Sequence, residues 1–113
     1  MAACSSARRL ACACAVACAS LVASAQPQMA CGRDATSGRY WCVNPASVGE
    51  NGDGVRSAQL YMGNDRVVHP TSQIARASCR TRVLEFVSSG RAFWSARFDE
   101  STIAERIGAA MCD

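Results

Sequence analysis

Eight cysteines fall into two groups, and the point of division constrains this chain more than any other feature. Cys4, Cys12, Cys14 and Cys18 lie within residues 1–25, which have the layout of a secretory signal peptide. Arg8 and Arg9 form its charged start, Leu10 to Val22 its apolar stretch, and Ala23-Ser24-Ala25 its small-residue cleavage box. Cleavage there leaves a chain starting at Gln26 with Cys31, Cys42, Cys79 and Cys112. An even count in a short exported chain reads as a disulfide framework. Four cysteines allow three pairings. The sequential one, Cys31–Cys42 with Cys79–Cys112, is favoured because the first two are local and Cys112 ends a candidate helix that needs an anchor. The chain-entropy argument assigns these bridges about 3 and about 4 kcal/mol. Two other export readings compete less well. Ala15-Val16-Ala17-Cys18 loosely resembles a lipoprotein box without its leucine, and Ser6-Ala7-Arg8-Arg9 a twin-arginine signal without its following residues.

Residues 26–113 allow one domain, small enough to need covalent staples. All twelve basic residues are arginine, but Arg8 and Arg9 leave with the signal peptide. Ten arginines then face nine acids, a balance of about +1 that implies no specific nucleic-acid binding. No later apolar run approaches the roughly 20 residues of a membrane span.

Along the mature chain, residues 26–38 read as an irregular lead-in. Arg39 to Val43 predicts a short aromatic strand ended by Asn44-Pro45, and Gly49 to Gly54 a loop. Val55 to Met62 alternates and pairs with Arg66 to His69 through Gly63-Asn64-Asp65. Residues 70–78 fit either a short helix opened by Pro70 or a loop. Cys79 to Val87 and Arg91 to Phe98 form the clearest hairpin. Asp99 to Met111 predicts a helix, with Thr102 and Glu105 as a capping box and Ile103, Ile107, Ala110 and Met111 as its apolar stripe. The expected fold is therefore α+β: a small antiparallel sheet of four to five strands with a C-terminal helix, stapled by disulfides.

The register of the last hairpin decides which side chains form a surface. A three-residue loop, Ser88 to Gly90, pairs Leu84 with Trp94 and Phe86 with Ala92. A two-residue loop, Ser89-Gly90, pairs Val83 with Ala96, Glu85 with Trp94 and Val87 with Ala92. The second is preferred because it puts Cys79 on the face that the helix covers, at the cost of an inward Glu85. It leaves Arg80, Arg82, Leu84, Phe86, Arg91, Phe93 and Arg97 together on the other face. Guanidinium groups beside aromatic rings hold anions bidentately and stack on flat groups. Arg80, Arg82, Phe86, Arg91, Phe93 and Arg97 are therefore the candidate binding residues, unless neighbouring strands or loops cover the apolar members.

Other chemistry lacks its parts. The spacings Cys-x10-Cys, Cys-x36-Cys and Cys-x32-Cys contain no metal-binding unit. Asn51-Gly52-Asp53-Gly54 fails as a calcium loop, with Gly49 at the first ligand and Leu60 where a glutamate belongs. The single histidine, His69, has no matching nucleophile motif, and oxidised cysteines offer no thiolate. Glu85 alone has no acid–base partner. No enzyme activity, metal or cofactor is expected.

Residues 75–113 resemble the surface-adhesin protein E-like group of small exported bacterial proteins. The similarity lies in Ala77 to Phe86 (A-x-C-R-x-R-V-L-E-F), the glycine-turn hairpin at Gly90, and a final Asp-Glu-Ser-Thr segment with a helix ending in Cys112. The resemblance implies a compact antiparallel sheet with a terminal helix, and host-surface adhesion. The pair Cys31 and Cys42 and the glycine-rich loop have no place in that pattern. The functional expectation is a non-catalytic periplasmic or secreted binding module that contacts an acidic protein, a glycan or an anionic envelope or host polymer. Alternatives are an inhibitor or structural partner of another exported protein, docking by a loop or sheet edge, and a thiol-redox or metal protein if the cysteines are free.

Overall fold

The computed structural model of the chain describes residues 28–113; the expected signal peptide, residues 1–25, lies outside them. Seven strands and one α-helix follow in order: β1 Ala30–Arg33, β2 Tyr40–Val43, β3 Gly49–Glu50, β4 Val55–Gly63, β5 Val68–Ser78, β6 Val83–Ser88, β7 Arg91–Arg97 and α1 Thr102–Cys112. All pairings are antiparallel, in the order β1-β2-β4-β5-β6-β7. β2 and β3 share one edge of β4 end to end: Cys42 opposes Tyr61, and Gly49 opposes Ser57. A single 3-10 turn, Pro45–Ser47, capped by the Asn44 side chain on the Ala46 N–H, separates them.

The α+β class and the terminal helix are as expected, but the sheet has more than four to five strands. Two strands account for the difference: β1, and β3, which forms from the start of the Gly49–Gly54 segment expected as a loop. β1 forms inside the expected lead-in, where Cys31 lies directly opposite Cys42 and is bonded to it. Residues 70–78, expected as helix or loop, continue β5 to a length of 11 residues. Pro70 donates no N–H to the ladder, and the register between β4 and β5 shifts between Gln59 and Tyr61. Side chains take over there. The Thr71 hydroxyl donates to the Leu60 carbonyl at 2.7 Å, and the Gln59 amide bonds the Leu60 and Thr71 carbonyls.

The sheet curls into a half-barrel around α1. The helix touches β1 at one edge as well as β4 and β6. Alanines at 58, 75, 77 and 96 line the side of the sheet beneath it, and Leu60, Leu84, Phe86, Ile103, Ile107 and Met111 fill the space between. Two glycines allow close approach. A Cβ on Gly32 would stand 2.5 Å from the Ile103 Cα, and one on Gly108 2.5 Å from the Phe98 ring. The helix starts at a Ser101 cap, whose hydroxyl accepts from the Ala104 N–H at 3.0 Å. The expected cap at Thr102 is thus displaced by one residue. The other end is held by Cys79–Cys112, so both expected disulfides are present.

The last hairpin follows neither expected register throughout. Its turn is the two-residue Ser89-Gly90, with positive φ at both (52° and 78°), as a type I′ hairpin turn requires. Val87 opposes Ala92, but Phe86 then opposes Trp94 and Leu84 opposes Ala96. Phe93 is the extra residue of a β-bulge. The bulge leaves Trp94 and Ala96 on the helix side, as the preferred register has them, but brings Leu84 and Phe86 there in place of Val83 and Val87. Glu85 instead lies opposite Arg76 on the neighbouring strand and bonds it at 2.9 Å. Cys79 belongs to no strand. It opens the turn at residues 79–82, so its bridge to Cys112 does not depend on strand face.

Candidate functional site

The bulge also brings two consecutive side chains to one concavity. In a regular strand, consecutive side chains point to opposite faces. Here Phe93 and Trp94, adjacent in sequence, both line one groove of about 460 Å³ with Trp41, Phe86, Ala35 and Ile103. Phe86 is its floor, 2% exposed. Its ring lies 4.6 Å from Trp94, 5.3 Å from Trp41 and 6.2 Å from Phe93, centroid to centroid, at tilted angles that suit aromatic pairs. Phe93 forms one wall and stays half exposed at 49%.

Trp41 and Phe86 sit on β2 and β6, three places apart in the sheet. Flat strands that far apart are roughly 14 Å from one another. The curl of the half-barrel brings the rings into contact, and the nearer of the two strands between them helps: Phe86 lies opposite Ala75 of β5, which presents almost no bulk.

The polar side of the groove comes from Asp34, Ser101 and Thr102. The Ser101 hydroxyl is already committed to the helix cap. Asp34 is the only charged residue of the lining. It sits in the loop between β1 and β2, accepting from the Thr36 N–H at 2.9 Å and the Ser37 hydroxyl at 3.0 Å. Those two bonds, with the Arg33 charge nearby, hold its carboxyl below the usual aspartate range despite a small opposing effect of burial. Asp34 is therefore ionised at neutral pH.

The six residues singled out from the sequence are divided between different places. Phe86 and Phe93 both belong to the groove. Arg82 stacks over the Phe98 ring at 4.8 Å and pairs with Asp113 at 3.2 Å. Arg97 is bound by Asp99 at 3.2 Å and lies 3.9 Å from Glu100, and these carboxylates hold its guanidinium firmly protonated. Arg80 and Arg91 are exposed and make no ion pair with another described residue. The continuous arginine–phenylalanine face expected from the preferred register is not formed: Phe86 lies on the helix side beside Trp94, and Arg80 and Arg82 lie in the turn at residues 79–82 rather than on β6.

Trp41, Trp94 and Asp34 are site residues that sequence reasoning missed. Tyr40-Trp41 beside Cys42 reads as packing against a disulfide, and Asp34 as a residue of an irregular lead-in. Among the described residues, no three His, Cys, Asp or Glu side chains converge to hold a metal ion, and no helix is long and apolar enough to cross a membrane. Comparison with protein-family models, with curated proteins and with solved structures finds no match to this chain.

Proposed function

We propose that this chain is a non-catalytic binding module of an oxidising, extracytoplasmic compartment and that it takes its ligand in the aromatic groove. The observation behind this reading is the convergence of four aromatic rings on one open cavity. Its volume lies in the range of small-ligand sites, which combine apolar walls with a few polar groups. An exposed ring such as Phe93 beside such a cavity has no packing role that explains its exposure. Both cysteine pairs are bridged, which fits an oxidising compartment and leaves none of the four as a thiolate. Adhesion, which the resemblance of residues 75–113 implies, would be one use of such a module.

The groove supports this reading better than the arginines support a polyanion site. Arg82 and Arg97 already neutralise carboxylates of this chain, which leaves Arg80 and Arg91 as two separate exposed charges.

The two tryptophans of the chain both line the groove, so their fluorescence reports on its occupancy. Titration with benzyl alcohol and benzyltrimethylammonium should produce a saturable change in emission for at least one probe. Phe93→Ala should weaken that binding by about tenfold, the scale of one lost aromatic contact, while the melting temperature stays within a few degrees. No saturable change with either probe, or equal binding by Phe93→Ala, would contradict the reading.

A further inference from the structure

We infer that the groove selects an organic cation, a quaternary ammonium group seated among Trp41, Phe86, Phe93 and Trp94 with Asp34 as its counter-charge. This inference rests on the groove being the ligand site and adds the charge of what it holds.

Three features of the lining point the same way. Aromatic rings carry a negative face, and cations are attracted to it within about 6 Å of the ring centre, most strongly for tryptophan. Two tryptophans and two phenylalanines line this one cavity. The only formal charge on the lining is a carboxylate, and no arginine contributes to it. That carboxylate is fixed by Thr36 and Ser37, so little side-chain entropy is lost when it meets a ligand. An anion would face electron-rich rings and a like charge. A neutral apolar group would gain nothing from the Asp34 charge.

The start of α1 also reaches the groove, and its N–H groups favour negative charge. That effect is offset here. The Ser101 hydroxyl takes the Ala104 N–H, the Ser101 carbonyl accepts from the Glu105 N–H, and Glu105 places an acid in the first turn.

A quaternary ammonium suits the cavity better than a primary amine. Its methyl groups spread the charge over an apolar surface and need no hydrogen bonds, and the walls offer few acceptors. A primary ammonium would lose three strong bonds to water on entering.

The test compares choline with 3,3-dimethylbutan-1-ol, in which carbon replaces the charged nitrogen and the shape is kept. Tryptophan fluorescence and calorimetry are read for the purified chain and for Asp34→Asn. Asparagine keeps the acceptor for the Thr36 N–H and removes the charge. Choline should bind the parent chain at least about fivefold more tightly than the neutral analogue, the scale of a cation–aromatic contact at a partly open site. Asp34→Asn should lower that preference by about twofold or more, the part due to the rings remaining, and leave binding of the analogue unchanged.

Equal affinity for choline and its analogue would overturn the charge assignment while leaving the groove as the ligand site. A preference for choline undiminished by Asp34→Asn would overturn the role of Asp34. Absence of binding by either compound would overturn the cation site, and absence of binding by benzyl alcohol as well would remove the groove reading itself.

Discussion

Phe86→Ala is expected to destabilise the domain by about 3–5 kcal/mol, the cost of deleting a fully buried aromatic side chain from a packed core. Three circumstances place it in that range. Phe86 is 2% exposed, so nearly all of its surface leaves water on folding. Its ring meets Trp41, Trp94 and Phe93, contacts that each add to simple area burial. The residue opposite is Ala75, which cannot move to fill the space. Collapse of the cavity would require the curl of the whole sheet to change, so relaxation is limited. Urea denaturation measures the change directly. A loss below about 1.5 kcal/mol would show that the ring is not the floor of the groove that links β2 to β6. The contrast with Phe93→Ala is informative, because Phe93 is half exposed and its loss should be felt in binding rather than in stability.

Removing the bridge at the helix end has an effect of similar size. The double substitution of Cys79→Ser with Cys112→Ser opens a loop closed over 33 residues and should cost about 4 kcal/mol by the chain-entropy argument. For a domain of this size that corresponds to a fall of roughly 15 °C or more in melting temperature. The helix is short, at 11 residues, and helices of that length are marginal without tertiary anchors. Its first turn is packed against Gly32 of β1. Its last turn is held by the buried Met111, by the Arg56 guanidinium donating to the Met111 carbonyl at 2.9 Å, by Cys112 and by the exposed pair between Arg82 and Asp113. A pair of that kind contributes at most about 1 kcal/mol and cannot replace the bridge. Thermal unfolding followed by circular dichroism tests this. A double variant melting within about 5 °C of the parent would show that packing alone holds α1.

Much of this architecture was legible in the sequence, and the reasons are specific. The pairing of Cys31 with Cys42 followed from their closeness, and that of Cys79 with Cys112 from a helix that ends in a cysteine. The helix showed itself through Ile103, Ile107 and Met111, spaced to fall on one stripe. Ser89-Gly90 announced its turn by composition. What escaped was the outcome of single-residue events. A bulge adds one residue and has no signature of its own in Arg-Ala-Phe-Trp-Ser, yet it turned β6 over relative to the preferred register and put Phe86 beside Trp94 under the helix. β1 was missed because Ala30 to Arg33 contains a glycine and little β-branched character; it becomes a strand through its bridge to β2 and its contact with α1. The length of β5 was hidden by Pro70, whose missing N–H is accommodated by the side chains of Thr71 and Gln59.

The groove was illegible for a different reason. Trp41, Phe86 and Phe93 were visible as aromatic residues, but their meeting depends on the curl of a seven-stranded sheet, which no local pattern encodes. Small residues on the intervening strands and two glycines against the helix permit that curl. They are informative only once the strand order is known.

The most direct test of the account is a nitrogen-15 NMR titration of the purified chain with benzyl alcohol and then with choline, following the two indole N–H signals. Trp41 and Trp94 should both shift, saturably and with one binding constant for each ligand, together with the backbone amides of Asp34, Ala35 and residues 101–103. Indole signals that stay in place while changes gather around Arg80, Arg82 and Arg97, or no changes at all, would contradict the assignment of the aromatic groove as the binding site.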